Sequence, residues 1–197
     1  QIGLELGADQ MEAYATRFGI GTAIPFELPT SAGQLASSDD ALDSQATLAA
    51  TSFGQGELLV TPLHMARVMM AMANGGTIMR PQVVGSIQSG DGDTVRRIGS
   101  EEQAKPVSTA TAATMMDMLY DSVTYGYASG AQIEGLRVAG KTGTAENGTD
   151  IPHGWFIGSA GIDEPTVTVA VALEFGGEGG GLATQIARQM VDAAVER

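Results

Sequence analysis

Lys141 is one of two lysines in 197 residues, and it stands in a run of small residues, Ala139-Gly140-Lys141-Thr142-Gly143-Thr144-Ala145. Leu136 and Val138 precede it, and a second apolar run, Trp155 to Ala160, follows. In an extended strand side chains alternate between faces, so Thr142 and Thr144 put two hydroxyls on one face. Lys141 supplies a point positive charge. Small residues let another backbone come close to a strand. One cation, two hydroxyls and an accessible edge suit an extended peptide that ends in a carboxylate and pairs as an added strand. The same stretch also reads as a buried strand with a snorkelling lysine and glycines kept for packing. The residues by themselves leave both readings open.

Lys141-Thr142-Gly143, extended to KTGTAE at Glu146, resembles the third motif of the penicillin-binding proteins and serine β-lactamases. The longer form is most similar to the transpeptidase domain of class B, high-molecular-weight penicillin-binding proteins. Gly54-Gln55-Gly56 followed by Thr61-Pro62-Leu63 resembles the GQG…TP segment of that family. Asn74-Gly75-Gly76 and the strand-like His153-Gly154-Trp155-Phe156-Ile157-Gly158 match it in order and spacing, so the resemblance covers nearly the whole chain. Tyr127 departs from it, because the family usually carries a smaller residue there, often threonine.

The resemblance implies an α/β (α+β) fold, an antiparallel sheet flanked by helices. It implies a peptidoglycan D,D-transpeptidase that works through a serine acyl-enzyme and binds β-lactams, without cofactor or metal. Lys141 and Thr144 would be catalytic, and Thr142, Gly143 and Thr144 would bind substrate. By analogy Lys141 keeps the site positive, the two threonine hydroxyls hold the substrate carboxylate, and the Thr144 N–H forms half of an oxyanion hole. Gly143 would leave room for the substrate to approach the strand.

The family's chemistry also needs Ser-x-x-Lys for the nucleophile and base, and Ser-x-Asn for proton transfer. Neither occurs here: Glu102 and Val138 stand three residues before the two lysines, and neither Asn74 nor Asn147 has a serine two residues earlier. The expectation is therefore that residues 1–197 form the C-terminal portion of one transpeptidase domain, incomplete without its N-terminal part. In that scheme residues 1–135 are mainly helical with a β-hairpin, and 136–197 hold the motif strand, two further strands and a last helix. Implied partners are that N-terminal part, peptidoglycan stem peptides, β-lactams, and cell-division or elongation proteins. The implied location is the outer face of the bacterial cell membrane, anchored by a segment outside this chain. A D,D-carboxypeptidase or a β-lactam-sensing domain shares the KTG motif and stands as the alternative; the GQG…TP segment favours the transpeptidase.

Composition bounds these readings. The chain is long enough for one domain with a real core, and 43% apolar residues fit a globular protein. A net charge of −13 argues against nucleic-acid partners and against docking on an anionic membrane surface. Cysteine is absent, so there is neither a disulfide framework nor a thiolate metal site. No run approaches the ~18 apolar residues that span a bilayer, and no secretory signal is visible.

The elements that must position the motif follow from periodicity. Leu4, Ala8, Met11, Ala15 and Phe18 predict one core-facing helix over 1–18, stopped by Gly19 and Gly21. Residues 22–50 read as loop with a short helix, and the acidic cluster Asp39, Asp40, Asp43 as solvated surface. Thr61-Pro62 predicts a helix start and Gly75-Gly76 its end. That helix is apolar nearly all round, hence buried, with His64 as a satisfied structural histidine. Residues 77–107 predict a hairpin around Ser89 to Asp93, and Ala112, Met115, Met116, Leu119 and Val123 a helix over 109–123. Strands are expected over 136–145, 154–160 and 167–173, the last covered on both faces. A flexible glycine loop over 176–181, without the lysine of a phosphate loop, and a helix over 183–196 complete the chain.

Overall fold

A computed structural model of the chain describes residues 1–38, 40–161 and 164–195. Two short helices open it, α1 (Ile2–Leu6) and α2 (Ala8–Arg17). The expected single helix is broken at Gly7, whose φ of 80° and ψ of 168° suit glycine alone. The break also changes burial: Ala15 is 8% exposed, as its spacing predicted, but Leu4 is 43% exposed. In the expected loop, helix α3 (Gln45–Ser52) forms behind Ser44, whose hydroxyl accepts from the Thr47 N–H. Asp43 lies in a single turn before it, and Asp39 falls outside the described residues.

Helix α4 (Pro62–Ala73) starts and stops where proline and the glycine pair require. Strands β1 (Ile78–Met79), β2 (Ser86–Gln88), β3 (Thr94–Arg97) and β4 (Glu102–Ala104) form the expected hairpin as two nested pairs, β2 with β3 and β1 with β4. Helix α5 (Thr109–Tyr125) follows, capped by Ser108. Then come β5 (Arg137–Ala145), β6 (His153–Gly161), β7 (Val167–Leu173) and α6 (Leu182–Val195). The expected helix end at residue 196 lies outside the described residues.

Strands β5, β6 and β7 form one antiparallel sheet in that order, so the motif strand β5 is an edge strand. Alternation assigns the faces. Val138, Phe156, Ala160, Val169 and Val171 pack with Ala183, Ala187 and Val191 of α6 in one core cluster. Ala139 and Ile157, on the other face, join Met69, Ala71 and Met72 of α4 in a second. Both faces are thus covered, as the apolar pattern of β7 required. Helix α5 gives Val123 to the first cluster and Leu119 to the second, so it straddles the β5 edge near Val138 and Ala139. The Lys141–Ala145 half of that edge is left to other neighbours.

Two polar groups are buried in α4. His64, 1% exposed, replaces the usual glutamate of a capping box: its N–H donates to Thr61 Oγ1 at 3.1 Å, and its Nδ1 accepts from the Thr61 N–H at 3.3 Å. Its Nε2 faces the Thr22 carbonyl at 3.5 Å, which places the ring proton there. Arg67, 6% exposed, donates from Nη2 to Gln103 Oε1 at 2.9 Å, while its Nε has no partner among the described residues. The apolar reading of this helix missed that guanidinium.

Burial, with the Arg67 charge one turn away as a smaller cause, lowers the His64 pKa. A depressed value means that the unfolded chain binds the proton first. The contribution of His64 is therefore whole above its unfolded pKa of about 6.5 and is lost as pH falls below it. The urea midpoint should drop between pH 7.5 and 5.5. His64→Gln, which cannot take the proton, should show a smaller drop. Equal drops would exclude His64 as the source.

Candidate active site

The edge residues that matter are those whose backbone points away from β6. In an antiparallel pair the N–H and C=O of one residue point to the same side. The Thr142 carbonyl accepts from Lys141 Nζ at 2.6 Å, and the Thr144 carbonyl from Gln55 Nε2 at 2.8 Å. Both carbonyls therefore point off the free edge, and the Thr144 N–H points there with its own carbonyl. Gly143 between them faces Trp155 in the ladder.

That edge forms one wall of a cleft of about 470 Å³, and the segment Phe53 to Val60 forms the opposite wall. Lys141 is exposed and borders the cleft. Glu146 and His153 are the other titratable groups there among the described residues. The structure thus brings Lys141, Thr142, Gly143 and Thr144 together, and of the two readings of the motif it supports the accessible edge. It also puts Lys141 on the opposite face from the two threonine side chains; the ammonium reaches back around the edge to the Thr142 carbonyl.

Each glycine of the motif has a local reason. Gly140 lies across from Gly158, and the Phe156 ring covers both: a Cβ at Gly140 would run into Phe156 Cζ, and one at Gly158 would stand 2.6 Å from Cε1. A Cβ on Gly143 would stand 3.1 Å from Trp155 Cβ. Its small size thus makes room for Trp155.

The glycine run after β7 was expected as a flexible loop, but it is tied down. The Gly177 N–H donates to the Pro152 carbonyl at 3.1 Å, and the buried Thr184 hydroxyl to the Gly179 carbonyl at 2.6 Å. Gly179 packs so closely on the Gly143–Trp155 pair that a Cβ there would be 2.5 Å from the Trp155 carbonyl oxygen. Its N–H donates to Thr144 Oγ1 at 3.3 Å, which occupies one lone pair and leaves the hydroxyl proton free to point at a ligand. Tyr127, the residue that departs from the family pattern, is 93% exposed, and its carbonyl lies 3.2 Å from where a Gly180 Cβ would be.

Behind the other wall, Gln34 and Leu59 exchange two backbone hydrogen bonds of 2.9 Å. The Ser37 N–H and hydroxyl both donate to Glu57, lowering the pKa of that exposed carboxylate. The stretch 31–38, read from sequence as plain loop, therefore buttresses the cleft. At its far end His153 accepts from the Phe175 N–H at 3.0 Å; Phe175 has a φ of 53°, the one positive value at a non-glycine among the described residues. Sequence reasoning singled out neither Gly179 nor Gln55 as a site residue. Gln55 had its place in the GQG segment as a signal, and Gly179 only the pattern of glycines around it.

A model of the penicillin binding protein transpeptidase domain matches residues 1–192. The peptidoglycan D,D-transpeptidase PbpA of Mycolicibacterium smegmatis is 36% identical in an alignment 207 positions long that covers 99% of this chain and 41% of that protein. PbpA of Mycobacterium tuberculosis is 35% identical, over 100% of this chain and 41% of its own length. The chain therefore spans about two fifths of the length of these curated relatives. Among solved structures, the imipenem acyl-enzyme complex of M. tuberculosis penicillin-binding protein A superposes with a TM-score of 0.90 at 34% identity, covering 98% of this chain and 43% of that one. The D,D-transpeptidase domain of a peptidoglycan glycosyltransferase from Eggerthella lenta gives 0.87 at 33%, over 100% and 50%.

Proposed function

Because this chain belongs to the penicillin-binding protein transpeptidase family, we propose that it supplies the KTG half of the site of a peptidoglycan D,D-transpeptidase. Residues 1–197 are read as the C-terminal portion of that domain. The nucleophilic serine, its lysine and the Ser-x-Asn element come from outside these residues. The observation that carries the reading is the outward-facing Thr142–Thr144 edge of β5, open to a cleft that Lys141 borders.

The proposed chemistry makes use of that geometry. A stem peptide ending in D-alanyl-D-alanine lies along the edge as an added strand. Its terminal carboxylate accepts hydrogen bonds from the Thr142 and Thr144 hydroxyls, each bond to a charged group being worth roughly 1.5–3 kcal/mol. The serine attacks the amide carbonyl, whose developing oxyanion accepts from the outward Thr144 N–H. One such donor is worth about 2.7–4 kcal/mol of barrier. D-alanine leaves, and the amine of a second stem peptide resolves the acyl-enzyme into a crosslink. β-Lactams enter by the same route and stay as acyl adducts. In this reading the protein works at the outer face of the bacterial cell membrane, held by an anchor outside this chain, beside division or elongation proteins.

Exposed apolar residues support a further portion of the domain packing here. Ile2 is 77% exposed, Leu6 52%, Phe53 72% and Leu59 59%, the last two at or beside the cleft. The test is to label the whole protein with fluorescent penicillin, digest it and sequence the labelled peptide. One adduct, on a serine outside residues 1–197, is expected. An adduct on a serine within them, or no adduct, would refute the proposal.

A further inference from the structure

We propose that Gln55 is a positioning residue for acyl transfer: its side-chain amide braces the Thr144 carbonyl and thereby keeps the Thr144 N–H aimed off the edge. The inference rests on the transpeptidase reading above, since that reading gives the Thr144 N–H its role.

The local structure presents Gln55 for this purpose. Helix α3 ends in two backbone bonds, Gly54 N–H to the Thr51 carbonyl at 3.0 Å and Gln55 N–H to the Ala50 carbonyl at 3.0 Å. With Gly54 at a φ of 84°, this is a Schellman ending, and Gln55 is the residue it turns out of the helix. Gly56, at a φ of 72°, lets the chain turn back so tightly that a Cβ there would stand 3.2 Å from Ala50 Cβ. Both flanking glycines are needed for the backbone conformation, and the side chain between them is free to reach across the cleft. It ends 2.8 Å from the Thr144 carbonyl oxygen, across 89 residues of sequence.

The brace matters because the Thr144 carbonyl lies at an edge. Within a sheet a carbonyl is held by the next strand; among the described residues there is none on this side of β5, so the peptide planes at its end have no ladder partner there. Two side chains take the place of that strand, Lys141 at the Thr142 carbonyl and Gln55 at the Thr144 carbonyl. The N–H and C=O of Thr144 lie in adjacent peptide planes that point the same way while the residue stays extended, so a brace on the carbonyl that holds Thr144 in the strand also holds its N–H off the edge. An oxyanion donor is useful only if it is already aimed when charge develops. A carbonyl oxygen has two lone pairs, so the brace leaves room for a further donor from a bound peptide.

The experiment compares the whole protein with Gln55→Ala and Gln55→Glu, measuring fluorescent-penicillin acylation resolved into initial binding and the acylation step. Gln55→Ala should slow the acylation step about 10- to 100-fold, the scale of a slightly misplaced group, with initial binding little changed. Gln55→Glu keeps the shape but cannot donate as a carboxylate. It should be slow at pH 7.5 and recover toward wild type as pH falls to about 4.3, the ordinary glutamate pKa, and below, where its acid form donates again. Lys141, Glu146 and His153 also face the cleft and are the same in both proteins, so the variant-to-wild-type ratio is the quantity to read. Gln55→Ala acylating as fast as wild type or faster, or a Gln55→Glu ratio that does not change with pH, would overturn the brace. An unlabelled wild type would instead sink the transpeptidase reading itself.

Discussion

Lys141→Ala in the whole protein should slow acylation by about 10²–10³-fold, the scale found when one preorganised electrostatic contact is removed from an active site. The cause is local. Lys141 is the lysine bordering the cleft in a chain whose net charge is −13, and its Nζ already lies against the outward Thr142 carbonyl. Among the described residues that line the cleft it is the one lysine or arginine, so its loss removes that positive charge where a carboxylate-ended peptide enters. The side chain is exposed, so its loss opens no cavity, and surface changes of this kind typically stay within about ±0.5 kcal/mol. The measurement is the second-order rate of fluorescent-penicillin labelling, paired with the thermal midpoint. An unchanged rate in a folded protein would remove Lys141 from the mechanism. A collapsed midpoint would show the lysine to be structural.

Phe156→Ala should cost about 3–5 kcal/mol, the usual range for truncating a fully buried aromatic. That is a large part of the roughly 5–15 kcal/mol that holds a domain together. The ring is 1% exposed, is the largest side chain buried to that degree among the described residues, and packs against Gly140 and Gly158. It therefore ties β5 to β6 one residue before the lysine. Gly140→Ala probes the same contact from the other side. Its new methyl group meets the ring, and the overpacking should cost about 1–3 kcal/mol. Urea titration of the two variants checks both values. A loss below about 1 kcal/mol for Phe156→Ala would mean that the ring is not the wedge described here.

The parts of the fold with strong periodicity were legible. The apolar stripe of α6, the two-sided pattern of β7 and the Thr61-Pro62 start of α4 each led to the element observed, within a residue or two. What escaped was decided by single residues whose local signal is weak. Gly7 breaks the first helix although the hydrophobic spacing runs straight through it. Arg67 is buried in a helix that reads as apolar, because its partner Gln103 comes from a strand 36 residues later. At the site, the motif and its neighbours in sequence were found, while Gln55 and Gly179 were not assigned to it.

Read alone, the chain specified a lysine and two hydroxyls on an extended segment, the family to which they belong, and the absence of a Ser-x-x-Lys nucleophile among these residues. Those properties are local, set by residue type and by the two-residue repeat of a strand. Only the tertiary structure decided that β5 is an edge, which half of that edge α5 leaves open, and which side chains reach it from elsewhere. These depend on contacts between segments up to 89 residues apart, such as Gln55 to Thr144. Such contacts form when two apolar faces are buried against α4 and α6, and no short stretch of sequence carries that information.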